Sequence, residues 1–207
     1  MEQDQIKLIL HMSATVNFVI PTYNRPDLLR CMLASLVAQS DPDWSAHVVM
    51  DSDEYERNSF DSQEVIERLY CSNKQLKISY TGKPHNDWGH TPRDKGRMES
   101  TGLYTIMTGD DNYYVPKFVE EFKKALVGNP GFVYWDMVHS SFDYQYFKCT
   151  PGNGQIDIGA FAVRTDLCKQ VPLGRDYAAD GQFVEDYKKM FPHEKMVKIN
   201  KILYVHN

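Results

Sequence analysis

The residues best suited to chemistry in this 207-residue chain are the polar run Asp110-Asp111-Asn112. Adjacent carboxylates repel each other unless a cation or hydrogen-bond donors compensate their charge. A hard divalent ion, bound through one or two carboxylates together with substrate phosphates, would provide that compensation. Asp and Asn also favour turns, so the run by itself leaves both a metal site and a plain turn open.

Two further acids, Asp51 and Asp53, directly follow an apolar segment. They are candidates for hydrogen bonds to a base or a ribose, and the alternative is a helix cap or a loop. Asp180 is followed by Glu185 and Asp186 about one helical turn later. A carboxylate there is a candidate general base, although acids at a helix N-terminus also interact favourably with the macrodipole.

His206 is the penultimate residue and follows the apolar run 202–205. A histidine that leaves a strand beside a carboxylate pair could complete the coordination of a metal, and the alternative is an exposed terminal side chain. His85 and His90 flank residues 86–89, a spacing that matches no HExxH-type metal motif. We interpret both as loop residues that face a substrate.

Strands and helices alternate along the chain, which predicts an α/β domain with a mainly parallel sheet and right-handed crossovers. Strands are expected at 16–20, 46–50, 76–80, 105–108, 131–137, 144–148, 157–164 and 197–205, and helices at 27–37, 63–70, 116–126 and 182–190. Ligands of such sheets bind beyond the carboxyl ends of the strands. Residues 22–25, 51–53 and 110–112 all follow strand ends, so we expect them to meet at that edge.

Composition and charge exclude several classes of protein. The chain is 42% hydrophobic and 25% charged, which is typical of a globular domain and not of collagen, coiled coils or disordered chains. The net charge is −5 with no basic run, so nucleic acid is not expected as a partner. No apolar stretch approaches the roughly 18 residues of a membrane span, and the N-terminus does not resemble a signal peptide.

The four cysteines, Cys31, Cys71, Cys149 and Cys168, are far apart and form no CxxC pair. We expect free thiols in a reducing compartment, and therefore a cytoplasmic protein. The chain also lacks GxGxxG after the first strand, GxxxxGK[ST] and GxSxG. These absences disfavour a dinucleotide-dependent dehydrogenase, a P-loop kinase and an α/β-hydrolase.

Four segments, taken in order, resemble the GT-A fold glycosyltransferases, particularly family 2. The segments are VNFVIPTYNR at 16–25, VVMDSD at 48–53, the run from Gly89 to Asn112 with its DXD-type acids, and 158–161 through 180–183. The resemblance implies one GT-A (Rossmann-like) domain over 1–207, with a smaller mixed sheet on the acceptor side. It also implies a nucleotide-sugar half at about 14–112 and an acceptor and catalytic half at about 113–207.

The resemblance further implies an inverting sugar transfer from a nucleotide-diphosphate donor, expected to be a UDP-sugar, to a carbohydrate or other hydroxyl acceptor. Asp111, assisted by Asp110 and with His206 as an extra ligand, would bind Mn²⁺ or Mg²⁺. Asp180 would be the general base, and Glu185 and Asp186 are the other acids at the catalytic position. The residues implied in binding the donor and its metal are Pro21, Thr22, Tyr23, Asn24, Arg25, Asp51, Asp53, Arg93, Asp110 and Asp111. Trp88, Tyr134 and Trp135 are candidates for stacking on an acceptor sugar.

Three departures from the family pattern and three rival functions remain at this point, and the first departure is that the chain is short for this family. The motif reads Asp-Asp-Asn where the family has Asp-x-Asp, and the expected catalytic acid pair is spread over Asp180, Glu185 and Asp186. A nucleotidyltransferase would share the α/β sheet and the two-carboxylate metal chemistry, but the Gly-rich basic loop expected after its first strand is missing. The second rival is a non-catalytic carbohydrate- or nucleotide-binding module, and the third is a retaining transferase.

Overall fold

The computed structural model describes residues 14–56, 61, 64 and 75–207. The described strands form one nine-stranded sheet in the order β3-β2-β1-β4-β8-β6-β9-β5, with β7 paired to β6. The strands are β1 (Val16–Thr22), β2 (Trp44–Met50), β3 (Leu76–Tyr80), β4 (Tyr104–Met107), β5 (Tyr113–Tyr114), β6 (Phe132–His139), β7 (Gln145–Phe147), β8 (Phe161–Arg164) and β9 (Met196–His206). The α-helices are α1 (Pro26–Val37), α2 (His90–Met98), α3 (Phe118–Lys124), α4 (Thr165–Cys168) and α5 (Ala179–Met190).

The predicted α/β class with a mainly parallel first half is confirmed. β1 to β4 run parallel, with β1 between β2 and β4. The mixed strands of the second half continue the same sheet and do not form a separate one, because β8 pairs antiparallel with both β4 and β6. One continuous sheet therefore runs through both halves of the chain.

All seven residues of β1 are buried, as expected for a central parallel strand covered on both faces. On one face Phe18 packs against Tyr114 and Phe118, with ring centroids 5.0 and 5.8 Å apart. On the other face α2 lies so close that a Cβ at Gly96 would stand 2.3 Å from Val19 Cγ1. This close approach holds α2, which carries Arg93, next to the sheet.

Two sequence-based expectations for this part of the chain are wrong. The sequence pattern predicts no helix at the position of α2, because Pro92 and Gly96 are poor helix formers and the segment has no apolar stripe. The strand expected at 157–164 begins only at Phe161. Asp157 Oδ1 accepts the N–H of Gly159 at 2.8 Å and starts a 3₁₀ turn at Ile158–Ala160.

The other expected elements agree with the structure to within three residues at each end. The helix expected at 63–70 and Cys71 lie outside the described residues, apart from Glu64. Cys31, Cys149 and Cys168 are free thiols, and the last two are buried. In the part of the chain that the structure describes, no helix combines the length and the apolar character that crossing a membrane requires.

Candidate active site

The carboxyl ends of β1 and β4 bring together four of the predicted donor-site residues. Thr22 Oγ1 donates to Asp110 Oδ2 at 2.7 Å. The guanidinium of Arg25 spans both acids, with Nη2 3.1 Å from Asp110 Oδ1 and Nη1 2.7 Å from Asp111 Oδ2. Asp110 is fully buried, whereas the Arg25 side chain is half exposed. This cluster of Thr22, Arg25, Asp110 and Asp111, which we call the acidic edge, is therefore one buried and one partly exposed carboxylate, both paired with Arg25 from the solvent side.

Burial raises the pKa of Asp110 to about 6, and the neighbouring Asp111 charge adds to the rise. Arg25 and the Thr22 hydroxyl act in the opposite direction. Asp110 Oδ1 receives no well-directed hydrogen bond, although it faces the Arg25 charge. Carboxylate oxygens that need a cation fit Mg²⁺ or Mn²⁺ completed by substrate phosphates, so the donor set of the acidic edge suits such an ion.

The expected three-ligand set of Asp110, Asp111 and His206 is not assembled. No group of three or more His, Cys, Asp or Glu side chains is arranged to hold a metal among residues 14–56, 61, 64 and 75–207. Arg25 pairs with both acids, and His206 Nε2 lies 3.5 Å from Asp157 Oδ2. The backbone still brings β9 to the acidic edge, since the N–H of Asn207 donates to Asn112 Oδ1 at 3.4 Å.

Asp51 follows β2 at the same edge of the sheet and is buried. Its Oδ1 accepts the Thr81 hydroxyl at 2.9 Å and lies 2.7 Å from His85 Nδ1, while its Oδ2 accepts the N–H of His85 at 2.8 Å. Asp51 therefore holds the segment after β3 in place. A ligand bound at Asp51 would contact Thr81 and His85 as well. Asp53 lies nearby and accepts the N–H of Tyr55 at 2.7 Å.

The remaining donor-site candidates lie on the turn after β1. Pro21 is buried and lies against Gly89, so close that a Cβ added to Gly89 would stand 3.1 Å from the Pro21 ring. Tyr23 and Asn24 are exposed, and Asn24 has a left-handed backbone with φ of 53°. These two residues are open to a ligand.

A cavity of about 500 Å³ is walled by residues from both halves of the chain. Asp180, at the N-terminus of α5, and Arg93, on α2, both line it. Arg93 Nε donates to the Thr108 carbonyl at 2.9 Å, and Nη1 donates to the Trp88 carbonyl at 2.7 Å. The predicted base, Asp180, and Arg93, which the sequence predicts to bind the donor, therefore line the same cavity.

Burial raises the pKa of Asp180 to about 7, and the negative charge of Asp157 raises it further. Arg93 and the N–H of Ile158, which donates to Asp180 Oδ2 at 3.3 Å, limit the rise. A carboxyl that titrates near neutral pH is suited to accept a proton and to release it again. Asp180 therefore has the electrostatic surroundings of a general base.

Asp157 is a site residue that the sequence reasoning missed. It lines the cavity, accepts the Tyr204 hydroxyl at 2.7 Å and faces His206. His206 also lines the cavity and stacks on His139, with centroids 4.0 Å apart. An Asp followed two residues later by Gly is a turn signal that could have revealed the break before β8.

Glu185 and Asp186 are not brought to the cavity, although both lie on α5. Glu185 Oε1 pairs with Lys188 at 3.2 Å, and Asp186 Oδ1 pairs with Lys189 at 3.4 Å and Gln182 at 2.8 Å. Only Asp180 of the three acids lines the cavity. Residues five and six positions later in a helix lie on a different face, so Glu185 and Asp186 point away from it.

Of the three candidate stacking residues, only Trp88 lines the cavity. Trp135 has no exposed surface and packs against Phe118 and Phe122, so it cannot contact an acceptor. Tyr134 lies outside the cavity lining, with Lys198 Nζ 5.8 Å from its ring centroid. Trp135 and Tyr134 are therefore removed from the set of stacking candidates.

Comparisons with known proteins agree with this geometry. Residues 17–170 match the family described as Glycosyl transferase family 2. No curated protein sequence matches the chain. Among solved structures, S. aureus TarS 1–349 is similar with a TM-score of 0.74 at 16% identity, over 93% of this chain and 60% of that one. TarS 1–349 in complex with UDP-GlcNAc gives a TM-score of 0.73 at 15% identity, over 92% and 58%.

A third similar structure is the mannosyltransferase PcManGT from Pyrobaculum calidifontis in complex with GDP-Man and Mn²⁺. Its TM-score is 0.68 at 15% identity, over 95% of this chain and 58% of that one. At sequence identities this low, the similarity of these structures shows a shared fold alone. The chain spans about 60% of the length of these structures.

Proposed function

Because the chain belongs to glycosyl transferase family 2, we propose that this enzyme moves a sugar from a nucleotide-diphosphate donor, a UDP-sugar, to a hydroxyl acceptor with inversion. The observation that carries the proposal is the position of Asp180, a carboxyl of raised pKa on a cavity that Arg93 also lines. Family membership argues against the nucleotidyltransferase, and the retained acids Asp51, Asp111 and Asp180 argue against a non-catalytic module built on a decayed transferase.

The donor half of the site is the edge formed by β1, β2 and β4. Asp51, with Thr81 and His85 fixed around it, and the exposed turn Tyr23-Asn24 would hold the nucleoside. Arg25 would leave the acidic edge for the donor phosphates when another cation neutralises the two acids. UDP-GlcNAc in a TarS structure and GDP-Man with Mn²⁺ in PcManGT support a nucleotide-sugar donor.

Asp110 and Asp111 would hold Mn²⁺ or Mg²⁺, and His206 is proposed as a further ligand. When bound, the ion supplies Lewis-acid stabilisation of the charge that develops on the leaving diphosphate. The buried Asp110 favours that role, since a divalent charge relieves the cost that now raises its pKa.

In the transfer, the acceptor oxygen forms a bond to the anomeric carbon while the bond from that carbon to the diphosphate oxygen breaks. Asp180 takes the proton of the attacking hydroxyl. Arg93 holds its position through two backbone carbonyls and keeps a positive charge near Asp180. Attack from the face opposite the leaving group inverts the anomeric configuration.

The test is a panel of UDP- and GDP-sugars assayed for release of the nucleoside diphosphate with Mn²⁺ present. Proton NMR of the fresh product would report its anomeric configuration. Release of UDP with an inverted product supports the proposal. Release of pyrophosphate, or a product of retained configuration, would contradict it. Asp180→Asn serves as the inactive reference, and Asp186→Asn is the matched control on the same helix.

A further inference from the structure

Large aromatic side chains are exposed around the cavity that contains Asp180. Trp88 is 66% exposed, Tyr177 is 86% exposed and Phe142 is 52% exposed, and all three line the cavity. Rings of this size are normally buried, so their concentration at one cavity is informative. We call these three residues the aromatic rim.

Trp88 is held in an unfavourable backbone conformation. Its φ is 54°, in the left-handed region that bulky residues avoid. The carbonyl of Trp88 is fixed by the 2.7 Å hydrogen bond from Arg93 Nη1. Since two thirds of the side chain remains exposed, burial of the indole offsets little of this strain. Strain that packing does not explain is concentrated at functional sites in proteins.

Ion pairs tie the segments that carry Trp88 and Tyr177 to each other. Arg175 Nη2 lies 2.9 Å from Asp94 Oδ2, and Arg175 Nη1 lies 3.8 Å from Asp87 Oδ2. The third member of the rim is also supported, because Phe142 stacks on Phe147 with centroids 5.6 Å apart. The segments that carry Trp88 and Tyr177 are thus held together, and the ring of Phe142 is supported by a neighbouring ring.

The charges that line the cavity favour a neutral ligand over a polyanion. Asp157 and Asp180 are acidic, and Arg93 already donates to two carbonyls. No lysine is found among the described residues of the lining. Polyanions are recognised by free arginine and lysine side chains, which this cavity does not offer.

We propose that Trp88, Tyr177 and Phe142 form the acceptor subsite, and that its ligand is a neutral saccharide whose apolar face stacks on the indole of Trp88. The inference rests on the proposed function, since it places an acceptor hydroxyl at Asp180. Sugar rings have one face rich in C–H groups that suits an aromatic surface, while their hydroxyls suit carboxylates. Trp88 and Tyr177 are binding residues in this account and take no part in proton transfer.

Tryptophan fluorescence provides a direct test. The chain has three tryptophans, and Trp44 and Trp135 are 3% and 0% exposed, so a ligand in the cavity changes mainly the emission of Trp88. The probes are cellotetraose, N-acetylchitotetraose, maltotetraose and mannotetraose, compared with tetragalacturonate and a hyaluronan tetrasaccharide as anionic probes. We expect saturable changes with one or more neutral probes and none with the anionic ones.

Variants separate stacking from a structural role. Measured by saturation-transfer NMR, Trp88→Ala is expected to weaken binding of the neutral saccharide about tenfold, equivalent to about 1.4 kcal/mol, and Trp88→Phe to retain part of it. Tyr177→Ala should weaken binding less. Tyr55→Ala, which removes a 77% exposed ring outside the cavity, is the matched control and should bind normally. Trp88→Gly relieves the left-handed strain, so it should melt no lower than the parent while losing the saccharide.

Each contrary result has a distinct meaning. If UDP binds but no neutral probe does, or if an anionic probe binds and Trp88→Ala leaves it unchanged, the acceptor inference is wrong and the donor function stands. If Trp88→Gly and Trp88→Ala both lose saccharide binding by unfolding, the ring is structural and the inference is also wrong. Failure to bind UDP would instead count against the proposed function.

Discussion

Thr22 and Asp110, 88 positions apart in the chain, are joined by a hydrogen bond of 2.7 Å from Thr22 Oγ1 to Asp110 Oδ2. The bond connects the end of β1 to the acidic motif after β4, the two strands that lie side by side at the centre of the sheet. It is buried, and it gives the carboxylate of Asp110 a hydrogen-bond donor in addition to the positive charge of Arg25. The geometry of the acidic edge therefore depends on the turn after β1 as well as on the motif itself.

Thr22→Val should weaken both the fold and the acidic edge. The substitution removes a buried hydroxyl donor to a carboxylate, and hydrogen bonds to charged groups contribute about 1.5–3 kcal/mol. We expect the free energy of unfolding, measured with urea at pH 8, to fall by about that amount. Thr22→Ser keeps the hydroxyl and is the control. Equal stability of Thr22→Val and the parent would show that this bond contributes nothing.

Arg25→Gln should increase the affinity of the protein for Mn²⁺ in the absence of nucleotide. The guanidinium now neutralises Asp110 and Asp111, so a divalent ion must compete with it. Electron paramagnetic resonance of free Mn²⁺ during a titration measures this affinity. Arg30→Gln, at an exposed arginine on α1 that pairs with Asp27, is the control. Weaker Mn²⁺ binding by Arg25→Gln would contradict the assignment of the acidic edge as a cation site.

Asp180→Asn should lower kcat by about 10²–10⁴-fold, the usual contribution of a general base, and leave the affinity for UDP unchanged. In the parent, kcat should rise with pH and level off above about pH 7, because the base must be ionised and the pKa of Asp180 is about 7. Glu185→Gln and Asp186→Asn, whose acids pair with lysines outside the cavity, should keep the parent activity. A comparable loss of kcat in either variant would contradict the assignment of Asp180 as the general base.

The same carboxyl should give the fold a distinctive dependence on pH. The pKa of Asp180 is raised from 3.8 to about 7 in the folded protein. Between those values the unfolded chain has lost the proton that the folded chain keeps, so stability falls as pH rises, by up to about 1.4 kcal/mol per pH unit. The loss is complete above the folded pKa.

Asp180→Asn lacks this contribution. The difference in unfolding free energy between the parent and Asp180→Asn should therefore decrease from about pH 4 to about pH 7 and stay constant above. Urea unfolding at several pH values, with Asp186→Asn as the reference, measures it. A difference that does not change with pH would mean that the carboxyl is not desolvated in the folded state.

The parts of this site that the sequence predicts are those governed by the strand pattern. β1 and β2 are continuous buried strands, so the polar residues after them had to meet at one edge, as Thr22 and Asp51 do. Asp180 could be named because the small residues before it and the Phe after it resemble the acceptor half of the family. The link between Arg25 and the acidic motif depends on side-chain reach, which the strand pattern does not encode.

The parts that the sequence does not predict depend on local conformations with weak signals. α2 contains Pro92 and Gly96, and its place is set by contact with Val19 and not by helix propensity. Asp157 acts through a 3₁₀ turn within what looks like a continuous strand. The exposure of Trp88 and the burial of Trp135 follow from tertiary packing, which the composition of their segments does not reveal.

The proposed function depends on a nucleotide site that a divalent cation completes at Asp110 and Asp111. The most direct measurement is calorimetric titration of UDP into the parent protein and Asp111→Ala, each with and without Mn²⁺. We predict that UDP binds the parent more tightly with Mn²⁺ and that this gain is lost in Asp111→Ala. Absence of UDP binding to the parent under both conditions, or an equal Mn²⁺ effect in Asp111→Ala, would contradict the account.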